Sequence, residues 1–285
     1  MPEGHTIHRL ARRQQRQFSR QVVAVTSPQG PFAMGAEAVD GRVLDRVTAH
    51  GKHLFAWFGD RVVHVHLGLF GKFSAGTGPA PAPVGAVRMR WTAATGWTDL
   101  RGPTACHVLD PSGVDAILDR LGPDPLARRP DGARALARIA RSKAPIAGLL
   151  MDQSAVAGIG NVYRAEILFR HRVPPLLPGR ELPEPVWVSM WADLVTLMRY
   201  GVRTGRIITT EPIDREVAGG RTRRSDAHYV YRRAGEPCRI CATPIRVEML
   251  TGRRLYWCPV CQGMASPGMN SEGMLCDPTT VAPLV

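Results

Sequence analysis

Four cysteines constrain this chain more than any other feature. Cys238 and Cys241 form one C-x-x-C pair and Cys258 and Cys261 another, with 16 residues between the pairs. Each pair can turn two thiolates toward one point, and a hairpin of that length can bring the two pairs together, which is the pattern of a zinc site. Two disulfides are the competing reading. The N-terminus shows no continuous apolar stretch of the export type. The expected setting is therefore the cytoplasm, where paired C-x-x-C motifs favour metal over disulfides. Four thiolates close a tetrahedron and leave no position for a reactive water, so one structural Zn2+ is expected. Cys106 and Cys276 stand outside the pattern and read as ordinary thiols.

The rest of the chain divides by texture. Residues 5–19 read as a helix, with Ile7, Leu10, Ala11 and Phe18 near helical spacing and Arg9, Arg12, Arg13, Arg16 and Arg20 among them. From residue 22 to about 108 the text becomes short β-type segments broken by Gly and Pro, at 22–26, 42–49, 53–58, 62–67 and 87–91. Many short strands with few helices predict a sandwich or a barrel. Gly122-Pro123-Asp124-Pro125 and the segment 128–132 mark a linker. Helices are expected beyond it at 133–141, 145–152, 162–171 and 186–203. A basic, glycine-bearing loop at 204–226 follows, then a strand at 228–233 leading into the cysteine segment. The division is 1–121 for an N-terminal domain, 122–131 for a linker, 132–227 for a helical domain, 228–262 for the cysteine hairpin and 263–285 for a flexible tail.

Charge narrows the partner. Lys plus Arg is 37 against 24 Asp plus Glu, a formal net charge of +13. Such an excess suits a polyanion, most often nucleic acid. No apolar run approaches the roughly 20 residues that span a bilayer, so no membrane partner is expected.

Four further stretches could carry chemistry. Trimming of Met1 before the small Pro2 would leave a secondary amine beside the Glu3 carboxylate. An α-amino group has a reference pKa of about 7.7–8.0 against about 10.4 for lysine, so it is a ready nucleophile near neutrality. In the segment 50–55, strand alternation places Lys52, Leu54, Ala56 and Phe58 on one side. His64 and His66 share a strand face but have no evident third ligand, and read as ordinary core or surface histidines. Ala157-Gly158-Ile159-Gly160-Asn161 lies between two helices, with neither the preceding strand nor the third glycine of a dinucleotide fingerprint. A tight turn offering backbone N–H groups and the Asn161 amide to a phosphate fits it better.

Taken together, Pro2-Glu3-Gly4, Gly51-Lys52, the run from Leu149-Leu150-Met151-Asp152-Gln153 through Gly158-Ile159-Gly160-Asn161 to Glu166, and Tyr256-Trp257-Cys258-Pro259-Val260-Cys261-Gln262 resemble the formamidopyrimidine-DNA glycosylase and endonuclease VIII family. The motifs stand in family order across residues 2–262. The Pro-Glu-Gly opening and Gly235-Glu236-Pro237 before Cys238 look more like the endonuclease VIII branch, since the other branch usually opens Pro-Glu-Leu.

The resemblance implies an α+β multidomain fold: an N-terminal β-sandwich with a flanking helix, a helix–two-turns–helix domain and a C-terminal zinc-binding β-hairpin. It implies a monomer that acts on damaged DNA without a small-molecule cofactor, removing oxidised bases and then cleaving the abasic site. Pro2 would be the nucleophile at the sugar C1′, Glu3 the general acid that opens the sugar, and Lys52 a phosphate contact that assists. Asn161 and Arg253 would grip phosphates flanking the extruded nucleotide, Leu69 and Phe70 would fill the vacated stack, and Arg101 would serve the opposite strand. Oxidised pyrimidines are the expected substrates. Oxidised purines, and a non-catalytic damage-binding protein on the same scaffold, are the alternatives. Thr6 stands where the family usually carries a carboxylate, Ala147 where a lysine is often found, and Asp99-Leu100-Arg101-Gly102-Pro103 lacks the aromatic of the sister branch's wedge.

Overall fold

The computed structural model describes residues 2–217 and 222–263. The expected tail, Cys276 included, lies outside the described residues except for Gly263. Helix α1 (Gly4–Phe18) is followed by strand β1 (Val22–Thr26), helix α2 (Ala33–Glu37), then β2 (Arg42–Val43), β3 (Arg46–His50), β4 (His53–Phe58), β5 (Arg61–His66), β6 (Lys72–Gly76), β7 (Val87–Ala93), β8 (Gly96–Arg101) and β9 (Ala105–Leu109). A helical part comprises α3 (Pro111–Asp119), α4 (Gly132–Ile139), α5 (Ile146–Leu149), α6 (Asn161–Arg170) and α7 (Glu184–Thr204), and the hairpin β10 (Arg246–Leu250) with β11 (Arg253–Trp257) completes the order.

Two antiparallel sheets form the N-terminal sandwich, one ordered β2-β1-β7-β8-β6 and the other β3-β4-β5-β9. Alternation along β4 sends Leu54, Ala56 and Phe58 inward, where they meet Val63 and Val65 of β5 and Met89 and Trp91 of β7. Phe18 of α1 and Phe58 both set an edge against Trp91, each with ring centroids 5.9 Å apart. The other face of β4 is not left to solvent. Phe55 and Val62 pack on Val114 of α3. That helix escaped the sequence reading, although Asp110 caps it by accepting from Gly113 N–H and Pro111 opens it.

The helical core gathers Ile139, Ile146, Leu150, Tyr163, Ile167, Trp187, Leu194 and Met198. Helix α6 is buried on every side, so it has no polar face. Helix α7 ends at Gly205, whose φ of +74° gives the left-handed cap. Thr251 (φ +49°) and Gly252 (φ +71°) join β10 to β11 in a two-residue turn that suits the twist of the hairpin. Leu255 and Trp257 of the hairpin sink into the helical core. Among the described residues no helix is long and apolar enough to cross a membrane.

Two sequence expectations change. The segment 228–233 forms no strand. The N–H groups of Tyr229, Val230 and Tyr231 donate instead to the buried Glu166 carboxylate at 2.7–2.9 Å, and one carboxylate taking three successive amides bends a backbone that a sheet would keep straight. The expected linker is not slack at its start. Asp124 is buried and accepts from Gly51 N–H (2.7 Å), from Leu126 N–H (2.8 Å) and from His8 Nε2 (2.7 Å). It thereby locks α1 and the β3–β4 turn to the start of the helical domain.

Candidate active site

Backbone is brought against backbone where the N-terminus meets the helical domain. Gly4 N–H donates to Gly158 O at 2.8 Å. A Cβ on Gly4 would stand 2.9 Å from Gly158 Cα, and one on Gly51 (φ +56°) 3.1 Å from Gly158 N. The glycines of three separate motifs therefore exist to let three segments touch. That contact places Glu3 at the start of α6. Its carboxylate accepts from Gly160 N–H (3.0 Å), Val162 N–H (2.8 Å) and Tyr163 N–H (3.4 Å). Of these, the Gly160 amide belongs to the turn that the sequence reading offered to a phosphate. A buried helix start needs acceptors, and Glu3 supplies them from another domain.

Glu3 is fully buried. Burial raises its pKa above the ordinary glutamate value, outweighing the nearby Lys52 ammonium and the three amide donors, which act the other way. The carboxyl thus holds a proton more readily than a solvated one. Lys52 reaches across the domain junction and donates from Nζ to Ile159 O at 2.5 Å. Burial lowers its pKa to about 8, with Glu3 opposing and Arg253 adding to the fall. It is therefore an ammonium at neutral pH with a proton that can be lost within the physiological range.

Pro2, Lys52, His66, Leu69, Gln153 and Arg253 line one cleft of about 470 Å³. Four of the residues singled out from sequence thus meet at a single place. Glu3 lies behind its wall, in hydrogen-bonded contact with the turn that Lys52 also reaches. Phe70 is 86% exposed beside the cleft and Leu69 is half-exposed, in the loop between β5 and β6. Asn161 starts α6, but its side chain is engaged within the protein: Nδ2 donates to Arg254 O at 2.9 Å and Oδ1 accepts from Arg164. It therefore ties the hairpin to the helix. Arg101 does not line the cleft. Its guanidinium donates to Val84 O (3.0 Å), Ser74 Oγ (2.6 Å) and Asp99 Oδ2 (2.9 Å), and Asp99 also takes both forks of Arg90.

The departures have local explanations. Thr6 Oγ1 lies 3.2 Å from His5 Nε2, and burial together with His8 and Arg9 lowers the His5 pKa to about 4. Ala147 is completely buried and its N–H donates to Pro175 O, so no cation stands there. The two-histidine face gains a third imidazole from the neighbouring strand. His53 Nδ1 lies 2.9 Å from His64 Nε2, and the His53 ring tilts over His66. This is a stacked, hydrogen-bonded ladder.

Among the described residues one group can hold a metal ion: Cys238, Cys241, Cys258 and Cys261, whose sulfur atoms all lie within 4.8 Å of one another. Tetrahedral zinc with bonds of about 2.3 Å sets sulfurs about 3.8 Å apart, and the observed Cys238–Cys261 and Cys241–Cys258 separations are 3.9 and 3.4 Å. Ile240 N–H and Cys261 N–H point at the sulfurs of Cys238 and Cys258, as they do around thiolates in a metal knuckle. The donor set fits the expected ion.

Sequence reasoning missed the residues that hold these parts together. Gln153 lines the cleft and accepts from Gly158 N–H (3.0 Å) while donating to Met151 O and Ile159 O (2.9 and 3.0 Å). Gln262 accepts from Cys258 N–H and donates to Val173 O, which fixes the cysteine hairpin to the helical domain. Arg164 and Glu166 sit fully buried on α6. Their signal was legible: two charges on a helix with no polar face must be paired inside.

Comparison with known proteins places this geometry. A family model described as the formamidopyrimidine-DNA glycosylase N-terminal domain matches residues 1–106, and one described as the formamidopyrimidine-DNA glycosylase H2TH domain matches residues 121–212. Endonuclease 8 1 of Mycobacterium tuberculosis is 51% identical over 267 residues, covering 92% of this chain and all of the relative. Formamidopyrimidine-DNA glycosylase of Geobacter sulfurreducens is 32% identical over 254 residues, covering 85% and 92%. Among solved structures, a complex between Lactococcus lactis Fpg and DNA containing an abasic site superposes with a TM-score of 0.74 at 21% identity, covering 91% of this chain and 99% of that one. A complex of a Lactococcus lactis FPG mutant with DNA containing Fapy-dG gives 0.76 at 21%, covering 92% and 99%. These likenesses share the order of sandwich, helical domain and hairpin described above.

Proposed function

The chain belongs to the formamidopyrimidine-DNA glycosylase and endonuclease VIII family, and on that premise we propose that it is a bifunctional DNA glycosylase and abasic-site lyase of base-excision repair. It acts as a monomer on damaged DNA, removing oxidised bases and preferring oxidised pyrimidines. The observation that carries this reading is the convergence of Pro2, Lys52 and Arg253 on one cleft with the buried Glu3 directly behind.

The chemistry follows from the amine. With Met1 removed, the Pro2 nitrogen attacks C1′ of the damaged nucleotide, the bond from C1′ to the base breaks, and the proton that the amine nitrogen loses goes to the departing base. Glu3, whose burial favours the protonated form, gives its proton to the sugar ring oxygen as the ring opens. The product is an iminium ion on a secondary amine, which has no N–H proton to shed and so remains an electron sink. Loss of the C2′ proton then expels the 3′ phosphate. Lys52 and Arg253 hold backbone phosphates beside the reacting sugar, and Asn161 aligns the hairpin that carries Arg253. Leu69 and Phe70 fill the gap left by the extruded nucleotide and offset its unstacking cost of a few kcal/mol. Arg101, held by Asp99, Ser74 and Val84, keeps N–H donors to spare and would serve the opposite strand. The four cysteines hold one structural Zn2+, which closes the base of the hairpin and takes no part in the reaction.

The preference for pyrimidines is supported by the Pro2-Glu3-Gly4 opening and by the higher identity to endonuclease 8 1 than to the formamidopyrimidine-DNA glycosylase. Duplexes carrying thymine glycol or 8-oxoguanine test it. Faster incision at thymine glycol is expected. Faster incision at 8-oxoguanine would move the chain to the purine class, and binding without incision of either would leave only a damage-binding role.

A further inference from the structure

Two carbonyls on consecutive residues receive the two parts of the reactive apparatus. Gly158 O takes the N–H of Gly4, which fixes the backbone immediately after Pro2-Glu3, and Ile159 O takes Nζ of Lys52. Gly158 has φ +92°, a conformation with no helix or strand ladder to maintain it. Besides the two groups they receive, one side chain bonds both of these residues. Gln153 Oε1 accepts from Gly158 N–H, and its Nε2 donates to Ile159 O, sharing that oxygen with Lys52. A second Nε2 bond to Met151 O anchors the amide to the preceding turn.

We propose that Gln153 is a positioning residue of the lyase reaction, clamping the Gly158-Ile159 carbonyls so that the N-terminal amine and the Lys52 ammonium are presented together at the cleft. This rests on the reading of Pro2 as nucleophile. The amide suits the task because it alone offers an acceptor for one backbone N–H and donors for two carbonyls in one plane. An alanine leaves Ile159 O with Lys52 as its one partner and Gly158 N–H with none. A glutamate keeps the acceptor for Gly158 N–H but turns an oxygen, in place of the donor, toward Ile159 O. That oxygen is repelled by the carbonyl and attracted by the ammonium that shares it. A new negative charge at Lys52 favours its protonated form, so the lysine loses its proton at a higher pH than in the parent protein.

The test is the pH dependence of single-turnover strand cleavage at a preformed abasic site, with DNA affinity measured in parallel, for the parent protein, Gln153→Ala, Gln153→Glu and Pro2→Gly. Parent cleavage that Pro2→Gly lacks establishes the underlying reading independently of Gln153. Gln153→Ala is expected to slow cleavage about tenfold or more, since small misplacements of reacting groups are costly, while DNA affinity changes less than twofold. Gln153→Glu is expected to bind DNA and to move the basic limb of the profile to higher pH. Equal losses of affinity and rate in both variants with an unmoved profile would reduce Gln153 to a structural residue and overturn the proposal. Unchanged cleavage in both would overturn it as well.

Discussion

At the scale of single residues, the site depends on two buried groups whose proton affinities move in useful directions. Lys52 loses its proton near pH 8 because burial outweighs the attraction of Glu3. The phosphate grip proposed for it needs the ammonium, so DNA affinity is expected to fall as pH rises through about 8, and Lys52→Met to flatten that fall; fluorescence-anisotropy titrations across pH check both. The same shift has the opposite effect on the fold. Between about pH 8 and the ordinary lysine range the unfolded chain binds the extra proton, so stability should rise with pH there. Glu3 is shifted upward, which means that the stability it contributes in acid is lost as pH rises through its folded value. Glu3→Gln removes that pH dependence but turns an NH2 toward amides that need acceptors, so the Tm at pH 7 is expected to fall and excision to be abolished. A calorimetric scan beside an incision assay decides it. Pro2, Glu3 and Lys52 were legible because each stands in a short motif. Asp124 was not, since its importance lies in Gly51 and His8, far away in sequence; Gln153 stood inside a motif, but its three backbone bonds appear only once the turn after it has folded back.

At the scale of elements, the start of α6 is the joint on which catalysis rests. Gly160 has room for no side chain: a Cβ would lie 2.4 Å from the Glu3 carboxyl carbon. Gly160→Ala is expected to cost about 1–3 kcal/mol by overpacking and to suppress strand cleavage. Gly59→Ala, whose added methyl would meet nothing within 4 Å but whose φ of +66° strains any side chain, should cost stability and leave cleavage intact, so chemical denaturation and incision together separate lost stability from lost chemistry. Helices α1 and α4 to α7 were readable from periodicity while the short α2 and α3 were not, and 42–49 resolves into β2 and β3 where the chain turns. The failure at 228–233 is instructive. Its alternating aromatic and apolar residues are strand-like, but Glu166 presents a stronger set of acceptors than any strand edge within reach. A buried carboxylate donated to by Tyr229, Val230 and Tyr231, and by Thr209 Oγ1, overrides local propensity.

At the scale of the whole molecule, a basic chain is built so that two domains and a metal-binding hairpin close on one cleft. The C-x-x-C spacing gave away the hairpin, and composition gave away the two larger domains. The contacts that fix them, Asp124 to Gly51 and His8, Gln262 to Val173, and Glu3 to α6, arise only on folding. Because the hairpin carries Arg253 and packs Leu255 and Trp257 into the helical core, removing the metal should act at a distance. Chelation is expected to lower DNA affinity while near-UV dichroism from Trp91 in the sandwich persists, and metal analysis should return one zinc per chain. The account turns on Pro2 as the nucleophile, and borohydride trapping on abasic-site DNA followed by peptide mass mapping tests that most directly. A stable protein–DNA adduct whose modified peptide begins at Pro2, absent in Pro2→Gly, is the expected result. An adduct mapped to Lys52, or no adduct from protein that demonstrably lacks Met1 and binds the DNA, would contradict it.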